Sequence, residues 1–135
     1  MDLICFGGLG QYKGSNGKVG VIGGCFEYTG APYYAGVSSL KSGSDLAHVF
    51  CTRSAGIPIK TYSPELIVHP TLDASDESEI LDFEECTQRI YNKSSKWFGA
   101  INVFIVGPGL GRDKFLTEHL VPRLVQEIYE KSNFY

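Results

Sequence analysis

No run of about twenty apolar residues occurs in the sequence, so no membrane-spanning helix and no membrane partner are expected. Neither charge sign dominates. Twelve basic against 15 acidic residues leave a net charge of -3, the wrong sign for a surface that neutralises nucleic-acid phosphates, so nucleic acid is not an expected partner. Cysteine is sparse, at Cys5, Cys25, Cys51 and Cys86, and no Cys-x-x-Cys or Cys/His spacing suited to a metal occurs. A reduced protein with no metal site of its own is the simplest expectation. Met1 to Gly8 carry neither a basic leader with an apolar core nor an Arg-rich amphipathic pattern, so no targeting segment is visible. Charged residues make up only 20% of the chain against 43% apolar, a balance that excludes a disordered tail, which lacks the apolar area to offset chain entropy. The 135 residues suit one packed domain.

Glycine is what the chain has in excess, 16 of 135 residues or about 12% against a usual level of about 7%, with no collagen-like period. Val19 to Gly24 reads as a short buried strand ending in a glycine turn, preceded by the turn-rich Lys13 to Lys18. Thr29-Gly30-Ala31-Pro32 opens a helix in which Tyr34, Val37, Leu40 and Lys41 recur at spacings of three and four, and Gly43 closes it. Strands follow at Leu46 to Cys51 and Leu66 to His69, and Pro58 and Pro64 limit any helix between them. The four acids of Asp73 to Glu79 read as a solvated loop. Ile80 to Tyr91 has apolar residues at 80, 83, 86 and 90, with Thr87 on the same face, the spacing of an amphipathic helix, and Ile101 to Val106 makes a nearly continuous apolar strand. That strand runs into Gly107-Pro108-Gly109-Leu110-Gly111-Arg112-Asp113, after which a helical pattern resumes and Pro122 is expected to break or kink it. This alternation predicts an α/β sandwich with a largely parallel sheet.

The order strand, glycine turn, helix therefore occurs twice. Open α/β sheets bind ligands beyond the carboxyl ends of their strands, where glycines let the backbone approach and a helix N-terminus offers N–H groups to an anion. Both turns are candidates, and the bland alternative is that their glycines only allow tight connections. Neither satisfies a Rossmann fingerprint, since Gly107, Gly109 and Gly111 lack one spacer, and Gly17-Lys18 lacks the flanking residues of a Walker A loop. His48 and His69 lie in apolar strands, where a hydrogen-bonded structural role outweighs general-base chemistry, and His119 belongs on a helix surface. Cys25, in a glycine turn before a helix, is either an activated thiol or a small buried side chain. Glu27 and Asp45 are either ligand contacts or capping carboxylates.

The blocks Lys13 to Cys25 and Glu27 to Tyr33, then Asp45 to Cys51, Tyr62 to Pro70 and Gly107 to Asp113, closely resemble the ATP-dependent NAD(P)H-hydrate dehydratases over about residues 12 to 120. The resemblance implies a ribokinase-like three-layer α/β/α fold, apparently truncated, with residues 1–135 forming the N-terminal part of a single domain. It implies repair of NADH and NADPH damaged by hydration: the S epimer of NADHX or NADPHX is dehydrated with ATP as co-substrate and Mg2+ as cofactor. Phosphorylation of the added hydroxyl followed by loss of phosphate makes chemical sense, because hydroxide leaves poorly and phosphate leaves well. By the same resemblance Gly109 and Gly111 lie against the hydrated dinucleotide and Ala31 walls the same crevice. A cytoplasmic or mitochondrial address and possible oligomerisation are expected.

Members of that family carry further strands, ATP-binding loops and a late glycine-rich loop whose aspartate is the catalytic base, and none of these has a counterpart here. No catalytic residue is therefore assigned, and the isolated chain is expected to be inactive. The alternative is a short product that is a non-catalytic fragment or a nucleotide-binding relic of the family. Another small-molecule kinase of the same fold is disfavoured by the blocks from Glu27 to Pro32 and from Tyr62 to Pro70.

Overall fold

The computed structural model describes residues 13–73 and 83–131. Four strands, β1 (Lys18–Ile22), β2 (Leu46–Cys51), β3 (Ile67–Pro70) and β4 (Val103–Val106), form one parallel sheet in the order β3-β2-β1-β4. Successive residues of a strand face opposite ways, and here both faces are covered. Val21, Val49 and Cys51 pack with Ala55 and Ile59 of α2 (Arg53–Tyr62), joined by partly buried Tyr33, Val37 and Leu40 of α1 (Gly30–Lys41). Ile22 and Phe50 pack on the other face with Ile90 and Phe98 of α3 (Phe83–Phe98) and with Leu120, Leu124 and Ile128. The latter three belong to a π-helical segment (Phe115–Leu120) that continues into α4 (Val121–Lys131). The result is helix, sheet, helix in three layers, the architecture expected of a sequence with short continuous apolar strands.

Several boundaries differ from expectation. A ten-residue helix, α2, occupies the segment in which Pro58 was expected to limit any helix. Thr52 caps it, its hydroxyl accepting from the Ala55 N–H at 3.4 Å, and Ala55 and Ile59 are fully buried against the sheet. Burying an isoleucine contributes about 2–3 kcal/mol, comparable with the ~3 kcal/mol cost of an interior proline, and the cap adds about 1 kcal/mol. Pro64 does lie beyond the helix, after extended Ser63. In α1 the inward face runs through Tyr33 and Gly36, while Tyr34 points outward, because Gly36 lets the helix approach Leu66: a Cβ there would lie 2.8 Å from Leu66 Cδ2. Helix α3 continues to Phe98 through a polar stretch, held by fully buried Ser94, whose hydroxyl hydrogen-bonds Thr71 at 2.9 Å. Ile80 and residues 74–79 lie outside the described residues. Strand β4 begins two residues later than expected, and its Val103 is 55% exposed. Pro122 does not end its helix; the winding changes from π to α next to it, and the helical path continues.

Candidate functional site

All four strands run the same way, so their carboxyl ends open on one side of the sheet. The chain leaves β1 towards β2 and later returns to the other flank of β1 as β4. The connections from β1 and β4 therefore lead to helices on opposite faces, and the place where they part is the switch point at which open α/β sheets form a ligand crevice. Both glycine turns stand at this point.

They are interlocked. The Gly24 N–H donates to the Gly109 carbonyl at 3.2 Å, and the Gly107 N–H to the Ile22 carbonyl at 3.0 Å. A Cβ on Gly23 would stand 2.0 Å from the Pro108 carbonyl oxygen. One on Gly109 would stand 2.6 Å from the Tyr28 carbonyl oxygen, and one on Gly111 2.7 Å from Cys25 Sγ. Gly107, Gly109 and Gly111 have φ of +119°, +67° and +75°, left-handed values that glycine adopts without strain. The missing side chains at Gly23, Gly109 and Gly111 thus serve the contact between the two turns. Only at Gly107 does the Cβ direction lead into open space.

A shallow cavity of about 370 Å³ opens over this interlock, lined among others by Tyr28, Ala31, Gly109, Gly111 and Arg112. The structure thereby brings Ala31, Gly109 and Gly111 onto one surface, although Ala31 and Gly109 lie 78 positions apart in sequence. Among the described residues the N–H groups of Gly109 and Gly111 have no protein acceptor, so they remain available to an oxygen-rich ligand. Tyr28, half exposed, and Arg112 join the same cavity. Arg112 stood out in the sequence only as the base after the glycines. The signal for Tyr28, an aromatic residue just ahead of the α1 start, is weak without the fold.

A neighbouring cavity of about 400 Å³ shares Leu110 and Arg112 with the first and adds Cys25, Glu27, Thr52 and Asp113. Cys25 is buried, and its thiol donates to Glu27 Oε2 at 3.3 Å. Asp113 accepts from the Leu116 N–H at 3.0 Å, which ties its carboxylate to the start of the π-helical segment. Asp45 lies at the opposite, amino end of the sheet, remote from the crevice. Its carboxylate accepts from the N–H groups of Gly14 and Asn16 at 2.8 and 3.0 Å, and the Asn16 backbone bond above all holds its pKa below the ordinary value. Asp45 thus closes a turn.

His48 and His69 form a second polar unit, away from the glycine turns and on the α3 side of the sheet. His48 Nδ1 and His69 Nε2 are 3.0 Å apart, a hydrogen bond between adjacent strands, with Trp97 tilted over both rings. Burial pushes both pKa values down, aided at His48 by Lys18 and at His69 by His48 and Lys96; that of His69 reaches about 4. His119 is exposed on the π-helical segment. Cys51 is buried under α2, and burial raises its thiol pKa to about 12, which makes it inert. Among the described residues no three His, Cys, Asp or Glu side chains converge as a metal site, and no helix is long and apolar enough to cross a membrane.

A parallel sheet between two helical layers, with its crevice at the switch point, is the architecture of open α/β folds, and comparison with a solved structure places the chain in the ribokinase-like class among them. The chain superposes on a ribokinase-like superfamily protein of Enterococcus faecalis with a TM-score of 0.64 at 25% identity, covering 92% of this chain and 37% of that one. A hypothetical protein of Streptococcus mutans gives a TM-score of 0.61 at 24% identity, with 81% and 33% covered. Within that class the chain belongs to the NAD(P)H-hydrate dehydratase family, whose sequence pattern matches residues 19–133. It is 48% identical over 128 residues to the ATP-dependent (S)-NAD(P)H-hydrate dehydratase of Arabidopsis thaliana, covering 93% of this chain and 34% of that relative. It is 50% identical over 110 residues to the protein of the same name from Rattus norvegicus, with 82% and 28% covered. The chain thus spans about a third of the length of these curated relatives.

Proposed function

We propose that this chain supplies the substrate crevice of an enzyme that uses ATP to dehydrate the S epimer of NADHX or NADPHX, restoring NADH or NADPH. The observation that carries this reading is the interlock of the two glycine turns, which gathers Ala31, Gly109 and Gly111 on one cavity within a chain of this family. The N–H groups of Gly109 and Gly111, without a protein acceptor among the described residues, suit a phosphate-bearing dinucleotide, because backbone donors can approach its oxygens closely. The described residues do not fit the rest of the chemistry. They bring together no cluster of acids for Mg2+, and no phosphoryl-transfer step is derived from them.

Activity accordingly requires a polypeptide of the relatives' length that contains this chain. The test is incubation with ATP, Mg2+ and the S hydrate while following the near-ultraviolet absorbance of the reduced nicotinamide. The longer polypeptide is expected to restore that absorbance at an enzyme-like rate, and the 135-residue chain alone is not. Turnover by the isolated chain would refute the division of labour. Failure of the longer polypeptide on the hydrate would refute the proposed reaction.

A further inference from the structure

The cavity over the glycine turns has two residues whose chemistry the preceding reading leaves unused. Arg112 is its one charged lining residue, is exposed, and among the described residues has no carboxylate within ion-pair distance. The acids that share the neighbouring cavity with it are engaged elsewhere, Asp113 with the Leu116 N–H and Glu27 with the Cys25 thiol. Tyr28 presents a half-exposed ring on the same cavity, and its backbone is fixed by a 3.2 Å bond from its N–H to the Cys25 carbonyl and by its close packing under Gly109. An unpaired guanidinium beside unpaired N–H groups selects an oxyanion such as a phosphate. An aromatic face at the rim of the cavity suits a flat ring.

We infer that Arg112 and Tyr28 are specificity-determining residues for the hydrated dinucleotide, Arg112 pairing with a phosphate of its pyrophosphate bridge and Tyr28 packing against one of its rings. The inference rests on the proposed dehydratase reading and adds to it which side chains distinguish the dinucleotide. ATP also carries phosphates and a ring, so the two substrates must be titrated separately. Because Arg112 also borders the neighbouring cavity beside Glu27 and Asp113, a contact with ATP there would appear in the ATP titration.

The experiment uses the polypeptide of the relatives' length carrying Arg112→Gln, Arg112→Lys, Tyr28→Ala or Tyr28→Phe, with steady-state titrations of the S hydrate and of ATP. Arg112→Gln is expected to raise KM for the hydrate about tenfold, equivalent to about 1.4 kcal/mol, with kcat within about twofold and KM for ATP unchanged. Arg112→Lys should recover part of the loss. Tyr28→Ala should raise the same KM severalfold, and Tyr28→Phe should recover most of that loss because the ring face is kept. Inorganic pyrophosphate should compete with the hydrate in the wild type and weaken as a competitor in Arg112→Gln. A wild type that turns over while Arg112→Gln keeps its KM for the hydrate, or shifts the KM for ATP instead, overturns this inference alone. A wild type that does not turn over the hydrate overturns the proposed function, and this inference with it.

Discussion

Single glycines decide the shape of the crevice, and they do so through contacts inside the protein. At Gly23 an added methyl group meets a backbone carbonyl at 2.0 Å, which no side-chain rotation relieves. Gly107 offers a control, since its Cβ direction is open and only its φ of +119° opposes a side chain. Gly107→Ala is expected to cost about 1–2 kcal/mol from backbone strain. Gly23→Ala must also force the two turns apart and should cost about 3 kcal/mol or more. Urea unfolding of the two variants side by side checks this. Equal destabilisation would show that the interlock contributes nothing beyond ordinary glycine conformation.

At the scale of elements, β2, β3 and α3 meet at the His48 and His69 pair beneath Trp97, with Phe50 stacked on His69 at 4.7 Å between ring centroids. The pair is neutral near pH 7, one ring donating its N–H to the other. Burial lowers the proton affinity of both rings, and that of His69 reaches a pKa of about 4 against an ordinary 6.5. The unfolded chain therefore takes up protons first as the pH falls. Stability from this unit is full above about pH 6.5, declines as the pH drops, and levels off near pH 4. Allowing for the partial exposure of His69, the loss should be about 2 kcal/mol. The unfolding free energy of wild type and His69→Gln across that window isolates it from carboxylate titration. The variant should have the shallower slope, and parallel curves would remove the pair from the acid response.

For the whole molecule, the sheet has two edge strands among the described residues, β3, which ends in Pro70, and β4. Strand β4 pairs with β1 alone, and among the described residues its other edge carries no partner. Its Val103 and Val106 are partly exposed, and the strand has no lysine or proline to discourage further pairing. The 135-residue chain alone is expected to self-associate as its concentration rises, as sedimentation would record. Val103→Lys should reduce that association, and a chain that stays monomeric at high concentration would contradict the open-edge reading.

The amino-acid sequence by itself determined the strands, the helices α1, α3 and α4 and the two glycine turns, because apolar runs, glycines and prolines act within a few residues of themselves. It also carried the family, through the ordered blocks from Lys13 to Asp113 that the family pattern over residues 19–133 matches. What only the tertiary structure decided depends on distant partners. The coil of α2 around Pro58 follows from burial of Ala55 and Ile59 against strands elsewhere in the chain, which outweighs the local penalty. The choice of Tyr33 over Tyr34 as the inward residue of α1 follows from the approach of Gly36 to Leu66. The meeting of Tyr28, Ala31 and Arg112 over Gly109 follows from the return of β4 beside β1, and no local pattern encodes which two loops will lie side by side.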